Sequence, residues 1–229
     1  MLIRTALTSM VFFSLAAFGQ APPRPFVVAT GDATVSVQPD QAKVQFSVVT
    51  QATTAQVAAA QNATVVTAVL NALKSALGSA VEVKTLSYSL SPNYSNPRDG
   101  SQPMIIGYTA SNTVEATLSD LSVIGKAIDT GIQAGANRVN ALQFGIKDDQ
   151  PVRQQALKAA TQQAKLHADA MASGLGLKTG AAISIQEGSS VTIQPLRTGV
   201  AATAAPSTPV ETGLVDVRAT VTLQVELTP

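Results

Sequence analysis

The stretch VDVRATVTLQVEL, residues 215–227, alternates apolar and polar residues without interruption. Val, Ala or Leu occupies every odd-numbered position, and a polar or charged residue occupies every even-numbered one. Because successive side chains of a β-strand point to opposite faces, the pattern predicts a long strand with one buried and one solvated face. Such strands are typical of antiparallel sheets whose apolar face is covered by helices. The stretch therefore favours an α+β fold, and we expect it to pair with the alternating segment at 181–187.

The predicted strands and helices in the rest of the chain show one of two patterns: the two-residue alternation of a β-strand or the three-to-four-residue spacing of an α-helix. Alternation predicts further strands, at 26–37, 42–48, 81–90, 104–117 and 139–146. Apolar residues three and four positions apart predict helices, at 54–77, 121–132 and 151–173. The order β-β-α-β-β-α-β-α-β-β implies a mainly antiparallel sheet with about three helices packed on one face. Pro39-Asp40, between the first two strands, predicts a β-hairpin.

Residues 1–19 have the three parts of a signal peptide. Arg4 supplies a positive charge, and an apolar run follows. Ala17-Phe18-Gly19 ends the segment and places small residues, Ala17 and Gly19, at the −3 and −1 positions before the expected cleavage site. The apolar run is shorter than the roughly 20 residues of a membrane-spanning helix. We therefore expect cleavage after Gly19 and a periplasmic or secreted product, not a retained membrane anchor.

Three segments follow the expected cleavage site. Residues 20–26 contain three prolines and predict an extended tether. Residues 27–229 form one domain, and we expect no transmembrane helix in it. Within this domain, 188–213 is dominated by Ser, Thr, Ala, Pro and Gly and predicts a long mobile loop.

Composition excludes several classes of protein. The 229-residue chain has no Cys, which excludes a disulfide framework, thiolate metal sites and thiol nucleophiles. Once the leader with Arg4 is removed, basic and acidic residues are equal in number, so no net field attracts nucleic acid. There is no Trp, and three of the six Phe lie in the leader, which argues against aromatic stacking platforms.

The titratable residues give no catalytic constellation. His167 is the only His, and Asp169, two residues later on a predicted helix, points away from it. A solvated histidine is therefore favoured over a metal ligand or a triad member. Asp148 and Asp149 could form a carboxylate pair, but their position before Pro151 favours capping of the third helix.

Two short motifs carry little information about function. Gly174-Leu175-Gly176, with Gly180, follows a helix instead of opening one, which argues against a dinucleotide loop. Asn62-Ala63-Thr64 and Asn93-Tyr94-Ser95 match a glycosylation pattern that means little in an exported bacterial-type protein. The sequence thus predicts no catalytic, cofactor-binding or metal-binding residue and no cofactor.

Two groups of residues leave alternatives open. The third helix carries an alanine at every fourth position: Ala156, Ala160, Ala164, Ala168 and Ala172. This face either packs on the sheet of the same chain, which we favour, or contacts a helix of another subunit. Tyr88, Tyr94 and Tyr108 are the only tyrosines, and they surround one loop. They either brace that loop against the sheet edge, which we favour, or line a shallow groove for a ligand or peptide.

Several positions carry a family resemblance: Gly31, Pro39-Asp40, Tyr88, Pro92, Tyr94, Gly107-Tyr108, Gly135-Ala136-Asn137, Phe144 and Leu175-Gly176. In this order and spacing, the sequence from about Val27 to Leu227 resembles the SIMPL-domain family of exported bacterial proteins, which includes periplasmic immunogenic antigens. The family has no established reaction, so the resemblance assigns no catalytic residue. It implies a mixed α+β domain, an envelope location, a tendency to self-associate and a link to stress tolerance.

These observations favour a non-catalytic protein of the cell envelope that associates with itself, so we expect a homo-oligomer and not an enzyme. Two alternatives stay open. One is a carrier of a small ligand or a peptide, which requires a well-formed apolar cavity or groove. The other is a hydrolase that uses carboxylates, which requires two acidic side chains to converge in a pocket.

We predict that the mature protein begins at Gln20 and is free of the membrane. Small residues at positions 17 and 19 after a short apolar run give the physical reason. Mass spectrometry of the exported protein tests this expectation. An intact chain that begins at Met1 and fractionates with the membrane would contradict it.

Overall fold

The structure, a computed structural model, describes residues 24–96, 102–188, 192–195 and 208–229. The strands are β1 (Phe26–Val37), β2 (Gln41–Ala52), β3 (Val81–Tyr94), β4 (Ile105–Leu118), β5 (Arg138–Gly145), β6 (Lys178–Glu187), β7 (Thr192–Pro195) and β8 (Val215–Thr228). The helices are α1 (Ala55–Leu77), α2 (Ile124–Gln133) and α3 (Gln150–Gly174). All strand pairs are antiparallel, so the predicted α+β class is confirmed. The predicted signal peptide, 1–19, lies outside the described residues.

The strands divide between two sheets, where the sequence predicts one. The terminal sheet has the order β1-β8-β6, with β7 also paired to β8, and the inserted sheet has the order β3-β4-β2-β5. Helix α3 packs on the terminal sheet, whereas α1 packs on the inserted sheet and α2 packs against α1. The inserted sheet comes entirely from residues 41–145, which interrupt the chain between β1 and α3.

The predicted hairpin between β1 and β2 is wrong. Strand β1 pairs with β8, and β2 pairs with β4 and β5. Pro39-Asp40 instead joins the two sheets, and Asp40 fixes this crossing. Its backbone N–H donates to Gly145 O at 3.2 Å, and its side chain accepts from the Lys147 N–H at 2.7 Å. A Pro-Asp turn is compatible with either connection, because it reverses the chain without selecting the next strand's partner.

The predicted strand at 215–227 is confirmed as the central strand of the terminal sheet. Its apolar residues from Val215 to Val225 are at most 5% exposed. They meet the alanine face of α3, whose members are all buried: Ala156, Ala160, Ala164, Ala168 and Ala172. The interpretation that this face packs within the same chain is therefore confirmed. Alanines let the helix come so close to β1 that Gly31 lies directly against the α3 backbone.

The inserted sheet has its own core under α1 and α2. Phe46, Val69, Leu73 and Val114 are among its fully buried members. Thr54 begins α1 as predicted, because its hydroxyl accepts from the Val57 N–H at 3.3 Å. Among the described residues, one helical segment, Ala55–Ala80, is long and apolar enough by composition to cross a membrane, whereas the sequence pattern predicts no transmembrane helix in this domain. One stripe of this helix, which includes Val66, Val69 and Leu73, packs on the inserted sheet.

The segment predicted as a loop, 188–213, contains one strand. Residues Thr192–Pro195 form β7 and pair with Val215–Arg218. Farther along, Thr208 donates a hydrogen bond from its hydroxyl to Asp129 at 2.7 Å, and Val210 packs against the core of the inserted sheet. Residues 189–191 and 196–207 lie outside the described part of the chain.

We predict that Gly31→Ala destabilises the protein. A Cβ at this position would lie 2.2 Å from both Ala160 O and Ala164 N, and these backbone atoms cannot move without shifting α3. Overpacking of this kind costs about 1–3 kcal/mol of unfolding free energy. Gly145→Ala is the matched control, because no atom lies within 4 Å of its added Cβ. Urea unfolding compares the two, and equal stability of both variants would contradict the close approach.

Candidate interaction site on strand β3

His167 and Asp169 of α3 do not form a pair. His167 is exposed, and its Nδ1 lies 2.7 Å from the carbonyl oxygen of Thr30. Asp169 accepts hydrogen bonds from Lys165 and Thr179. The bond from Lys165, followed by that from Thr179, lowers the pKa of Asp169. The group ties α3 to β6, and His167 is turned toward β1.

The two aspartates before α3 serve the start of that helix. Asp148 accepts a hydrogen bond from the Gln150 N–H at 3.2 Å, and Asp149 pairs with Arg153 at 2.8 Å. Pro151 occupies the first turn. The interpretation that they cap the helix is confirmed for Asp148, while Asp149 makes an ion pair in place of a side-chain cap. At the other end, Gly176 has φ of 71° and ends α3, as the pattern predicts.

The three described cavities give no catalytic geometry. One of about 460 Å³ lies at the end of α3 and includes Asp169, Ser173 and Lys178. One of about 480 Å³ lies on the outer face of α3 beside Leu166, and one of about 180 Å³ lies beside Phe144. Asp169 is the single carboxylate among these linings. Within the described ranges, no cluster of three or more His, Asp or Glu could hold a metal ion. The absence of catalysis stays a prediction.

Strand β3 is the most exposed apolar element of the inserted sheet. Among the described strands it lies at the sheet edge and pairs with β4 alone. Tyr88, Leu90 and Tyr94 are 52%, 39% and 59% exposed. Tyr108, across from Pro92 on β4, is half-buried. The tyrosines therefore do not close a cavity. Two of them present their rings to solvent along one strand.

The apolar part of β3 has no charged residue from Thr85 to Asn96. Natural proteins usually protect edge strands with charges, Pro or bulges, because an edge exposes unpaired N–H and C=O groups. Here the register shifts between Thr85 and Ser87, which makes Leu86 a bulge, and Pro92 lies near the other end. The segment between them keeps a regular register and has no charge.

An ion pair fixes the base of this segment. Glu115 on β4 is 5% exposed and lies 3.1 Å from Lys84 Nζ. Gln45 Nε2 donates to its other oxygen at 3.2 Å. Burial raises the pKa of Glu115, but the hydrogen bonds from Lys84 and Gln45 and the nearby positive charges outweigh this effect and lower it. The pair ties the edge strand to its neighbour.

A buried amide from α1 lies over the same region of the sheet. Asn62 is fully buried, and its Nδ2 donates to Val48 O at 2.8 Å and to Ala110 O at 3.2 Å. Among the described residues, neither Asn62 Oδ1 nor Asn112 Oδ1 has a hydrogen-bond partner. Burial of Asn62 also removes it as a glycosylation acceptor. In the second such motif, Asn93 accepts a hydrogen bond from the Thr109 hydroxyl at 2.9 Å.

The chain belongs to the SIMPL family, described as a protein of unknown function (DUF541), whose profile matches residues 27–225. The resemblance inferred from the sequence is thereby confirmed.

Named relatives of this chain are periplasmic or uncharacterised proteins. It is 30% identical over 184 residues to the 26 kDa periplasmic immunogenic protein of Brucella melitensis, covering 76% of this chain and 73% of that one. It is 28% identical to the uncharacterised protein YggE of Edwardsiella ictaluri, covering 73% and 70%. YggE of Escherichia coli K12 is 27% identical, covering 73% and 67%. A solved structure of AtUAH in complex with glyoxylate is 13% identical to this chain, and the match covers 61% of this chain and 34% of that one. Its TM-score of 0.27 is too low to indicate a shared fold.

We predict that Glu115→Gln lowers stability at neutral pH and reduces its dependence on acid. Because the folded-state pKa of Glu115 is lowered, the ionised carboxylate contributes stability that is fully present above the ordinary pKa of a Glu side chain and is lost as the pH falls through the lower folded-state value. We expect a loss of about 1 kcal/mol at pH 7, since the Lys84 end of the pair is exposed.

Urea unfolding at neutral and acidic pH measures this effect. Glu82→Gln is the matched control, because Glu82 is an exposed carboxylate of the same sheet, on β3, the strand that carries Lys84. A Glu115→Gln protein with the acid sensitivity of the native chain would show that the ion pair contributes no stability.

Proposed function

We propose that this protein is a non-catalytic module of the cell envelope that associates with itself through an exposed sheet edge. The uncharged edge of β3, with Tyr88 and Leu90 exposed beside it, carries the proposal. Unpaired edge strands gain hydrogen bonds when a second strand joins them, and exposed apolar side chains add burial. The near-zero net charge of the chain offers little long-range repulsion between copies.

The proposed location is the periplasm or the cell exterior. Two features support it: the signal-peptide pattern of residues 1–19 and the word periplasmic in the names of the Brucella relatives. A role in stress tolerance, which the family resemblance implies, is part of the same proposal. A non-catalytic role agrees with the lone carboxylate of the described cavities.

A peptide carrier is the second candidate function. The same β3 edge favours it, because an extended peptide can add to a free strand by main-chain hydrogen bonds, with side chains meeting exposed apolar residues. Tyr88 and Leu90 would then select the peptide. By contrast, none of the three cavities described above contains the pair of carboxylates that would favour a hydrolase.

We predict that the mature protein forms oligomers at micromolar concentration and that Leu90→Lys weakens them. A charge on an uncharged edge opposes strand addition, and a loss of about 1.4 kcal/mol corresponds to tenfold weaker association. Light scattering over a range of concentrations gives the mass. Leu166→Lys is the control, because Leu166 is an exposed apolar residue on α3, away from β3. A monomer at all concentrations would contradict self-association, and equal weakening by both variants would contradict a role for β3.

A further inference from the structure

The outward-facing backbone groups of β3 follow from the position of Pro92. In an antiparallel pair, residues alternate between those that bond to the neighbouring strand and those whose N–H and C=O point away from it. Proline has no N–H, so it belongs where the N–H side faces solvent. Pro92 is opposite Tyr108 in a regular register. By alternation, Tyr88 and Leu90 then also direct their N–H and C=O groups outward.

The Asn62 amide gives the same assignment independently. Its single Nδ2 reaches both Val48 O and Ala110 O. Two carbonyls on neighbouring strands lie that close only when both point into the space between β2 and β4. Ala110 therefore bonds toward β2. Its opposite neighbour Leu90 lies at a position of β3 that does not bond to β4, and within the described part of the chain no strand pairs with its backbone groups at the edge.

The part of the β3 edge that can pair with another strand is short. The bulge at Leu86 ends the regular register on one side, and Pro92 supplies a C=O but no donor on the other. Between them, 87–91 offers two outward donors and two outward acceptors, on Tyr88 and Leu90. A strand that satisfies all four groups must present the same spacing.

We infer that β3 pairs antiparallel with β3 of a second copy of this chain, about a twofold axis through Ser89, so that the two inserted sheets become one. In this register Tyr88 faces Leu90 of the second copy, and Leu90 faces its Tyr88. All four outward groups of each copy are then paired. The inference rests on the proposed self-association and specifies its surface and register.

Charge and side-chain chemistry select this register. A twofold axis through Tyr88 would bring Pro92 opposite Lys84, and an axis through Leu90 would oppose Tyr88 to Pro92, which has no donor. With the axis at Ser89, Lys84 lies across from Tyr94, so no like charges face each other. Each exposed tyrosine then lies directly across from an exposed leucine, close enough for the two side chains to bury apolar area against each other.

Disulfide trapping tests the register, because the chain has no Cys of its own. Ser89→Cys places two thiols at a position without main-chain bonds, where Cα atoms lie about 4.5 Å apart and a disulfide fits. Ser87→Cys and Ser91→Cys are matched controls, since both are exposed serines of the same strand. Each control thiol would lie about 13 Å from its own copy along the strand, too far to bridge.

The expected result is that Ser89→Cys forms disulfide-linked dimers on mild oxidation, at least about tenfold faster than either control, because only its Cα spacing allows the bond. A mixture of Ser87→Cys and Ser91→Cys should form the mixed dimer, since these residues face each other. Either control linking to itself as fast as Ser89→Cys overturns the register. Light scattering on the same samples separates the two proposals. Oligomers without Ser89 linkage refute the β3 pairing alone, and monomers refute self-association as well.

Discussion

The pairing of β1 with β8 is the interaction on which the rest of the structure depends. All twelve residues of β1 have a partner in β8, from Phe26 with Glu226 to Val37 with Val215. This pairing joins the two ends of the domain and makes β8 the centre of the terminal sheet. Helix α3 can bury its alanine face only because these two strands lie side by side.

The strand order determines what the inserted sheet exposes. Strand β2 takes its neighbours from within residues 41–145, and the inserted sheet ends with β3 at one edge and β5 at the other. Strand β5 lies near the crossing at Asp40, which ties it to the terminal sheet. Strand β3 has no such neighbour among the described elements. The exposed tyrosines thus follow from the strand order.

Local patterns predicted much of this fold, including the pairing of β8 with β6, but they did not predict the partners of β1 and β2. Alternation identified β8 and the faces of its side chains, and the four-residue spacing of Ala156 to Ala172 identified the buried face of α3. Both are properties of one segment. The partner of β1 depends on residues almost 200 positions away, and nothing in the period of a strand specifies its neighbour. The turn at Pro39-Asp40 was therefore predicted correctly, but the pairing of the two strands that flank it was not.

The candidate site could be predicted only in part for the same reason. The clustering of Tyr88, Tyr94 and Tyr108 drew attention to the right loop. Whether those rings face a helix, a cavity or solvent depends on which strand lies at the edge of the sheet. The edge strand is set by pairing between segments distant in sequence, which no local pattern reveals. Pro92 was a usable signal, since a proline inside an alternating run indicates an edge strand. Asn62 gave no signal, because a buried amide looks like any polar helix residue in the sequence.

The junction of β1 with β8 also sets the order in which the molecule can form. During synthesis β1 is made first and β8 last, so β1 cannot pair until almost the entire chain has been synthesised. Contacts between residues so distant in sequence slow folding, because the loop they close is entropically costly. The inserted sheet, whose strands lie within 41–145, can assemble earlier. A chain truncated before Val215 would lack the strand that β1, β6 and β7 all bind, and its alanine helix would have no surface to cover.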